Sequence, residues 1–245
     1  MNISVHLLPE HVAPQDLCGG HVVVVDVLRA STTILTALHN GAQSIRPCLT
    51  VDDAMLCRNR TPGVLLGGER GGKRIDGFDL SNSPTDYSVE RVTARQLAFT
   101  TTNGTRALLH STAARSIEIG SFVNAGCLAT GLQNSREPLH ILCAGTDGKV
   151  TGEDALFAGC LTHRLLESAP TESVTLSDIT AMVLGYWRQQ QSQRSLSESL
   201  MDTQGGRNLQ ALGYESDVET AAAINSIPVR AVYSVETDLI TRRAS

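Results

Sequence analysis

Aromatic residues are scarce in this 245-residue chain, at 4%, so any core must be built from Val, Ile, Leu and Ala. Long apolar runs are missing too: Val22 to Val25 is about as long as they get. A membrane-spanning helix needs about 20 apolar residues, so none is expected. The opening Met-Asn-Ile-Ser-Val-His has neither the basic region nor the apolar stretch of a secretion signal, which points to the cytoplasm. A basic excess is absent as well. The net charge of −5 argues against a general nucleic-acid binder. The six cysteines, Cys18, Cys48, Cys57, Cys127, Cys143 and Cys160, show no CxxC spacing, so reduced, packed thiols are expected rather than a zinc site.

Hydrophobic residues make up 41% of the chain and charged residues 18%, with 21 glycines, a balance that suits a folded α/β protein. The pattern alternates strand and helix. Residues 2–8 read as a short strand and His21 to Val27 as a strand buried on both faces. Ser31 to Asn40 reads as a helix closed by Gly41, Ser44 to Cys48 as a strand, and a further helix begins near Val51. The segment 96–129 repeats the order seen in 21–54: apolar strand, Ser/Thr-rich elbow, helix, small-residue turn, Ser-Ile strand, helix start. A third elbow, 145–154, follows the strand Ile141 to Ala144. The expected fold is therefore α/β, a mostly parallel sheet with flanking helices. It forms one unit over 1–245, whose halves 1–90 and 91–245 share a site between them. The polar stretch 188–206 reads as an exposed helix and loop.

In open α/β sheets ligands bind where strands run into helix N-termini, which favour anions. The first elbow carries Asp26, Arg29, Ser31 and Thr32; the second Thr102, Asn103, Gly104, Thr105 and Arg106; the third Thr146, Glu153 and Asp154. Each Ser, Thr or Asn has a plain reading as a helix cap, and Glu153 and Asp154 as complements to a helix dipole. Three such elbows on neighbouring strands point to one crevice. None matches a P-loop or a dinucleotide fingerprint. A fourth segment, 67–84, sets two Gly-Gly pairs around Glu69-Arg70, follows with Lys73-Arg74, and ends on Asn82-Ser83-Pro84. It reads as a flexible loop able to approach a ligand closely.

Arginine beside hard carboxylates and hydroxyls suits phosphate-ester chemistry. Arg29, Arg70 and Arg106 can grip oxyanions. Asp26, Glu69, Glu153 and Asp154 are oxygen ligands of the kind Mg²⁺ takes, and metal-assisted attack by water follows from such a set. Two other readings fit the same crevice: a phosphoester-binding or sensor protein without turnover, and a nucleotide-binding or phosphotransferase enzyme.

The segments VVVVDVLRASTTI (22–34), LLGGERGGKRIDGFDLSNSP (65–84), TTTNGTRAL (100–108), CAGTDGKVTGEDALFAG (143–159) and GGRNLQALGYESDV (205–218) together resemble the 2-phosphosulfolactate phosphatase family over roughly 200 residues. The resemblance implies a Mg²⁺-dependent phosphatase that releases phosphate from 2-phospho-3-sulfolactate, a step toward coenzyme M. It implies an α/β fold with the site between two halves. Asp26, Arg29, Glu69, Arg70 and Asp154 are the expected catalytic residues. Ser31, Thr32, Asn82, Ser83, Thr102, Asn103, Gly104, Thr105, Cys143 and Thr146 are the expected substrate-binding residues. Asp26, Glu69, Glu153 and Asp154 are the expected metal ligands. Cys143 reads equally as a packed strand residue. Gly205 to Tyr214 reads as a lid over the crevice or as packing against the other half. The expected partner is a small phosphate ester, with no nucleic acid and no membrane, and a homodimer is the usual assembly of such enzymes.

Overall fold

The computed structural model describes residues 1–168 and 174–243. After β1 (Asn2–His6) comes β2 (His21–Val25), then α1 (Ala30–His39), β3 (Ser44–Pro47), α2 (Val51–Arg60), β4 (Leu65–Arg70) and β5 (Lys73–Arg74). A second series follows: α3 (Val89–Val92), β6 (Gln96–Thr100), α4 (Gly104–His110), β7 (Ser116–Gly120), α5 (Ala125–Leu132), β8 (Leu139–Cys143) and α6 (Gly152–Ser168). The chain ends with β9 (Thr175–Leu176), α7 (Asp178–Gln193), α8 (Leu196–Met201), α9 (Gln204–Leu212), α10 (Glu215–Ala222) and the hairpin β10 (Ala231–Ser234) and β11 (Leu239–Arg242).

Local chemistry sets these boundaries. Helix α1 stops where Gly41 turns to φ +95°, and α2 starts at a capping box in which the Asp53 N–H donates to Thr50 Oγ1 and the Thr50 N–H to Asp53 Oδ2. Strand β2 ends at Val25, short of Val27, because side chains take the next two backbone donors. The Asp26 N–H goes to Ser31 Oγ and the Val27 N–H to Asp154 Oδ1, both at 2.9 Å. The stretch 67–72 is not one flexible loop. Gly67 and Gly68 lie inside β4, where a Cβ would stand 2.3 Å from the Tyr87 hydroxyl and 2.0 Å from the Thr100 carbonyl respectively. Close strand packing, rather than ligand approach, demands that pair. Only Gly71 and Gly72 turn, at φ +60° and +77°, between β4 and β5.

The strand order is β5-β4-β6-β3-β11-β10-β7-β2-β8-β1-β9. Pairing is parallel through β4-β6-β3 and through β7-β2-β8-β1-β9. The hairpin β10-β11 joins the two blocks with antiparallel contacts on both sides, so the blocks run in opposite directions. Residues 1–90 and 91–245 interleave. Strand β6 of the later part lies between β3 and β4 of the earlier, and β2 of the earlier lies between β7 and β8 of the later.

Alternation along β2 divides the core. Val22 and Val24 pack in one cluster with Leu97 and Phe99 of β6 and with Leu35, Leu38 and Leu108 of α1 and α4. Val23 and Val25 face a second cluster that includes Leu128, Phe157, Leu161 and Trp187. Each buried valine contributes about 1.5–3 kcal/mol. Among the described residues no helix is long and apolar enough to cross a membrane. The 188–206 stretch is the mostly exposed end of α7, the loop after it, α8 and the start of α9, where Ser199, Leu200, Thr203, Gly205 and Gly206 are buried.

Candidate active site

The carboxyl ends of β2 and β6 meet: a Cβ on Gly104 would stand 2.7 Å from Asp26 Oδ2. Around this junction lies a crevice of about 440 Å³. Asp26, Arg29, Glu69 and Asn82 line it from residues 1–90, and Thr101, Thr102, Asn103, Thr146 and Asp147 from the two later elbows. Helix α9 closes one wall with Gly205, Asn208, Leu209 and Leu212.

Asp26 and Glu69 line the crevice, Glu153 and Asp154 are buried, and the hydrogen bonds of the four differ. Glu69 is engaged at both oxygens: Oε1 accepts the Thr102 N–H and hydroxyl, each at 2.9 Å, and Oε2 the Gly72 N–H at 2.8 Å. It ties the β4–β5 turn to the second elbow. Asp154 is engaged too, with Oδ1 on the Val27 N–H and Oδ2 on the Gly145 N–H at 3.1 Å, so it clamps the ends of β2 and β8. Asp26 accepts the Ala30 N–H through Oδ1 at 3.2 Å, and no hydrogen bond to Oδ2 is present among the described residues. Glu153 sits directly behind Gly205, and its buried Oε2 has no hydrogen-bond partner among the described residues.

Burial raises the affinity of Asp26, Asp154 and Glu153 for protons, and repulsion adds to it for the first two. Asp26 is pushed up to about 7, first by burial and then by Glu69 and Glu153, against the opposing Ala30 N–H and Arg29. Asp154 is raised by burial, then by Glu153 and Asp26, and Glu153 is raised by burial. Like charges held together this way are what a divalent cation would relieve. Among the described residues no three His, Cys, Asp or Glu side chains converge as a ready cation site. The two carboxylates with an oxygen to offer, Asp26 and Glu153, suit Mg²⁺, which commonly takes one or two carboxylates and keeps its waters.

The opposite wall is cationic. Arg29 is only 3% exposed. Its guanidinium donates to Asp217 Oδ2 at 2.8 Å and to the Gly72 carbonyl at 2.6 Å, and lies 4.5 Å from the centre of the Tyr214 ring. Asn82 is buried at the crevice edge. Its carbonyl accepts the Thr33 hydroxyl at 2.8 Å, and its side-chain Oδ1 has no partner among the described residues. On the second elbow, Asn103 Oδ1 accepts the Asp147 N–H at 3.2 Å.

Other expected site residues have structural work, and the crevice lining does not include them. Arg70 is exposed and bonds the Glu69 and Leu49 carbonyls and the Thr100 hydroxyl. Arg106 is exposed on α4. The Ser31 hydroxyl accepts the Asp26 N–H and holds the turn between β2 and α1, and Thr32 bonds the Val27 carbonyl and Ser121 at 2.8 Å. Thr105 and Thr101 cap each other's N–H groups, at 3.2 and 3.3 Å. Ser83 donates to Asp217. Cys143 is a packed strand residue opposite Val25, and burial pushes its thiol well up.

The segment Gly205 to Tyr214, read as a lid or as packing, supplies wall residues that sequence reasoning did not single out, Asn208, Leu209 and Leu212, with Tyr214 behind Arg29; Asp217, also behind Arg29, lies beyond that segment and was missed. One further signal pointed there. Gly205 and Gly206 open a helix, where a Cβ would meet Glu153 Oε1 at 2.2 Å and the Leu200 carbonyl at 2.1 Å.

Comparison with known proteins agrees with this geometry. The profile of the family described as 2-phosphosulpholactate phosphatase matches residues 6–235. A protein of Caldicellulosiruptor saccharolyticus is 38% identical, over 83% of this chain and 84% of its own length. One from Synechococcus sp. (strain CC9605) is 36% identical, over 94% and 95%. One from Clostridium perfringens (strain 13 / Type A) is 32% identical, over 93% and 91%. Each is named a probable 2-phosphosulfolactate phosphatase. This chain belongs to the 2-phosphosulpholactate phosphatase family, a family of phosphoric monoester hydrolases.

Proposed function

We propose that this chain hydrolyses 2-phospho-3-sulfolactate to 3-sulfolactate and phosphate with Mg²⁺, a step toward coenzyme M, in the cytoplasm and as a homodimer. The observation that carries the reading is the division of the crevice: Asp26, with one carboxylate oxygen outside any hydrogen bond among the described residues, lines its floor with Glu153 buried behind Gly205, and Arg29 and neutral amides line its walls. A substrate with three anionic groups needs both cation and neutral donors, arranged in a pocket closed enough to strengthen them. Asp26 and Glu153 would hold the Mg²⁺. When bound, that ion supplies charge neutralisation on the phosphoryl oxygens. Arg29 has five N–H donors, of which its anchors use two, and the others grip an oxyanion. Asn82, Asn208 and Thr146 orient the remaining anionic groups. The cluster of Glu69 and Thr102 fixes the rim against which the ester sits.

The test is phosphate release from 2-phospho-3-sulfolactate and a panel of 2-phospho-hydroxyacids, with Mg²⁺ and with EDTA. Release from the sulfonate substrate that EDTA abolishes is the expected result. Release across the whole panel keeps the phosphatase and discards the substrate; binding without release moves the protein to a sensor role. Light scattering of the purified chain checks the dimer.

A further inference from the structure

Arginine at a binding site is useful only if its guanidinium is held, because its long side chain has rotamer freedom to lose. Arg29 is held from behind. Asp217 is fully buried and lies outside the crevice lining, as do Tyr214 and Ser83. One Asp217 oxygen takes Arg29 and the other takes the Ser83 hydroxyl at 2.6 Å; that hydroxyl also pairs with Thr85 at 2.8 Å. Tyr214 covers one face of the guanidinium. The Gly72 carbonyl takes a second N–H, while the Gly72 N–H goes to Glu69. A buried ion pair by itself adds little stability over an apolar pair of the same shape. Placing one at the back of the crevice does fix the position of a cation.

We infer that Asp217, supported by Ser83 and Tyr214, is the positioning residue that aims Arg29 at the anionic substrate. This rests on the proposed phosphoester chemistry and adds to it a second layer, supplied by α10. The layer links the C-terminal part of the chain, through Arg29 and Gly72, to Glu69 and the second elbow.

The experiment is a double-mutant cycle. Asp217→Asn keeps the shape and removes the charge. KM should rise about 10-fold or more while kcat changes less, with the Mg²⁺ concentration for half-activity unchanged. Asp217→Glu should recover part of the loss, and Ser83→Ala should show a smaller one of about threefold. Combined with Arg29→Met, the Asp217→Asn change should cost nothing further, and the pair also removes the unpaired buried charge if the single variant folds poorly. Losses that multiply in the double variant, or an unchanged KM in a folded Asp217→Asn protein, would overturn the assignment.

Calorimetric binding of inorganic phosphate separates this idea from the proposed reaction. If the parent protein binds phosphate and Asp217→Asn weakens that binding about 10-fold, the positioning role stands even without hydrolysis. Parent protein that neither binds phosphate nor releases it sinks both readings.

Discussion

The two elbows that meet at the crevice are built to one plan and carry opposite chemistry. In the first, Asp26 and Ser31 bond each other's backbone while Asp26 Oδ1 takes the Ala30 N–H. In the second, the Thr101 and Thr105 hydroxyls each accept the other's backbone N–H, so side chains close that turn as well. The repeats align with Asp26 opposite Thr101 and Arg29 opposite Gly104. The second elbow therefore keeps the cap and gives up both charges. Gly104 has no room for more: a Cβ there would press on Asp26 and Ala30. Shared geometry explains why both strands end where they do, and only the first brings a carboxylate and an arginine to the crevice, since Arg106 of the second is exposed and outside the lining.

The strongest way to break this comparison is to copy the second elbow onto the first. Asp26→Thr should keep the cap, leave the thermal midpoint near the parent's and lower turnover by about 10²–10³-fold, as measured by phosphate release. Normal turnover would remove Asp26 from the chemistry. Next in size, Arg29→Lys keeps the charge and loses the planar fork, so kcat/KM should fall by about 10–100-fold. In the second elbow the expected effect is on folding. Thr105→Ala should cost about 1 kcal/mol, or about 2–4 °C in Tm, with kcat/KM within about twofold of the parent. A large catalytic loss there would mean that both elbows act on substrate.

The smallest effect sharpens the comparison by locating acid sensitivity outside both elbows. His6 stacks on His140 with their ring nitrogens 3.0 Å apart, and its pKa is lowered from 6.5 to about 4, first by burial and then by His140 and His11; Asp16 opposes and His110 adds slightly. The unfolded chain binds this proton more readily, so the contribution is fully present above pH 6.5 and is lost as pH falls toward 4. His6→Gln should flatten that part of the Tm-against-pH curve. An identical slope in the variant would assign the acid sensitivity elsewhere.

Much of the first elbow and its flanking elements was legible in the sequence. Four valines, a helix with Gly41 behind it and the Thr50–Asp53 box all act locally, so residues 21–60 could be read with small boundary errors. The opposed blocks could not. Strand alternation does not say which strands pair, and the hairpin that separates the blocks comes from the last residues of the chain. Gly67 and Gly68 misled because glycine usually marks a turn, whereas here the Tyr87 hydroxyl and the Thr100 carbonyl occupy the space of a side chain. At the site, carboxylates and Arg29 stood out by their place after strands. Which carboxylate oxygens are already taken is a matter of neighbours 33 and 127 residues away, as for Glu69 and Asp154, and no local pattern holds it. Asp217 was invisible for a similar reason: among Glu215, Ser216 and Glu219 it looks like one more acid on a solvated helix.

The interleaving of the two halves of the chain has a consequence for how substrate gets in and out. Many enzymes that bind between two halves open like a jaw, each half turning as a rigid body about a hinge. Here each half grips a strand of the other on both sides, so such a swing would tear parallel ladders from the middle of the sheet. Traffic passes at the rim, where Gly72 of the β4–β5 turn faces the Leu212 side chain of α9 and a Cβ would stand 2.6 Å from it. The frame is a woven one, and it meets the wall helix at a single glycine.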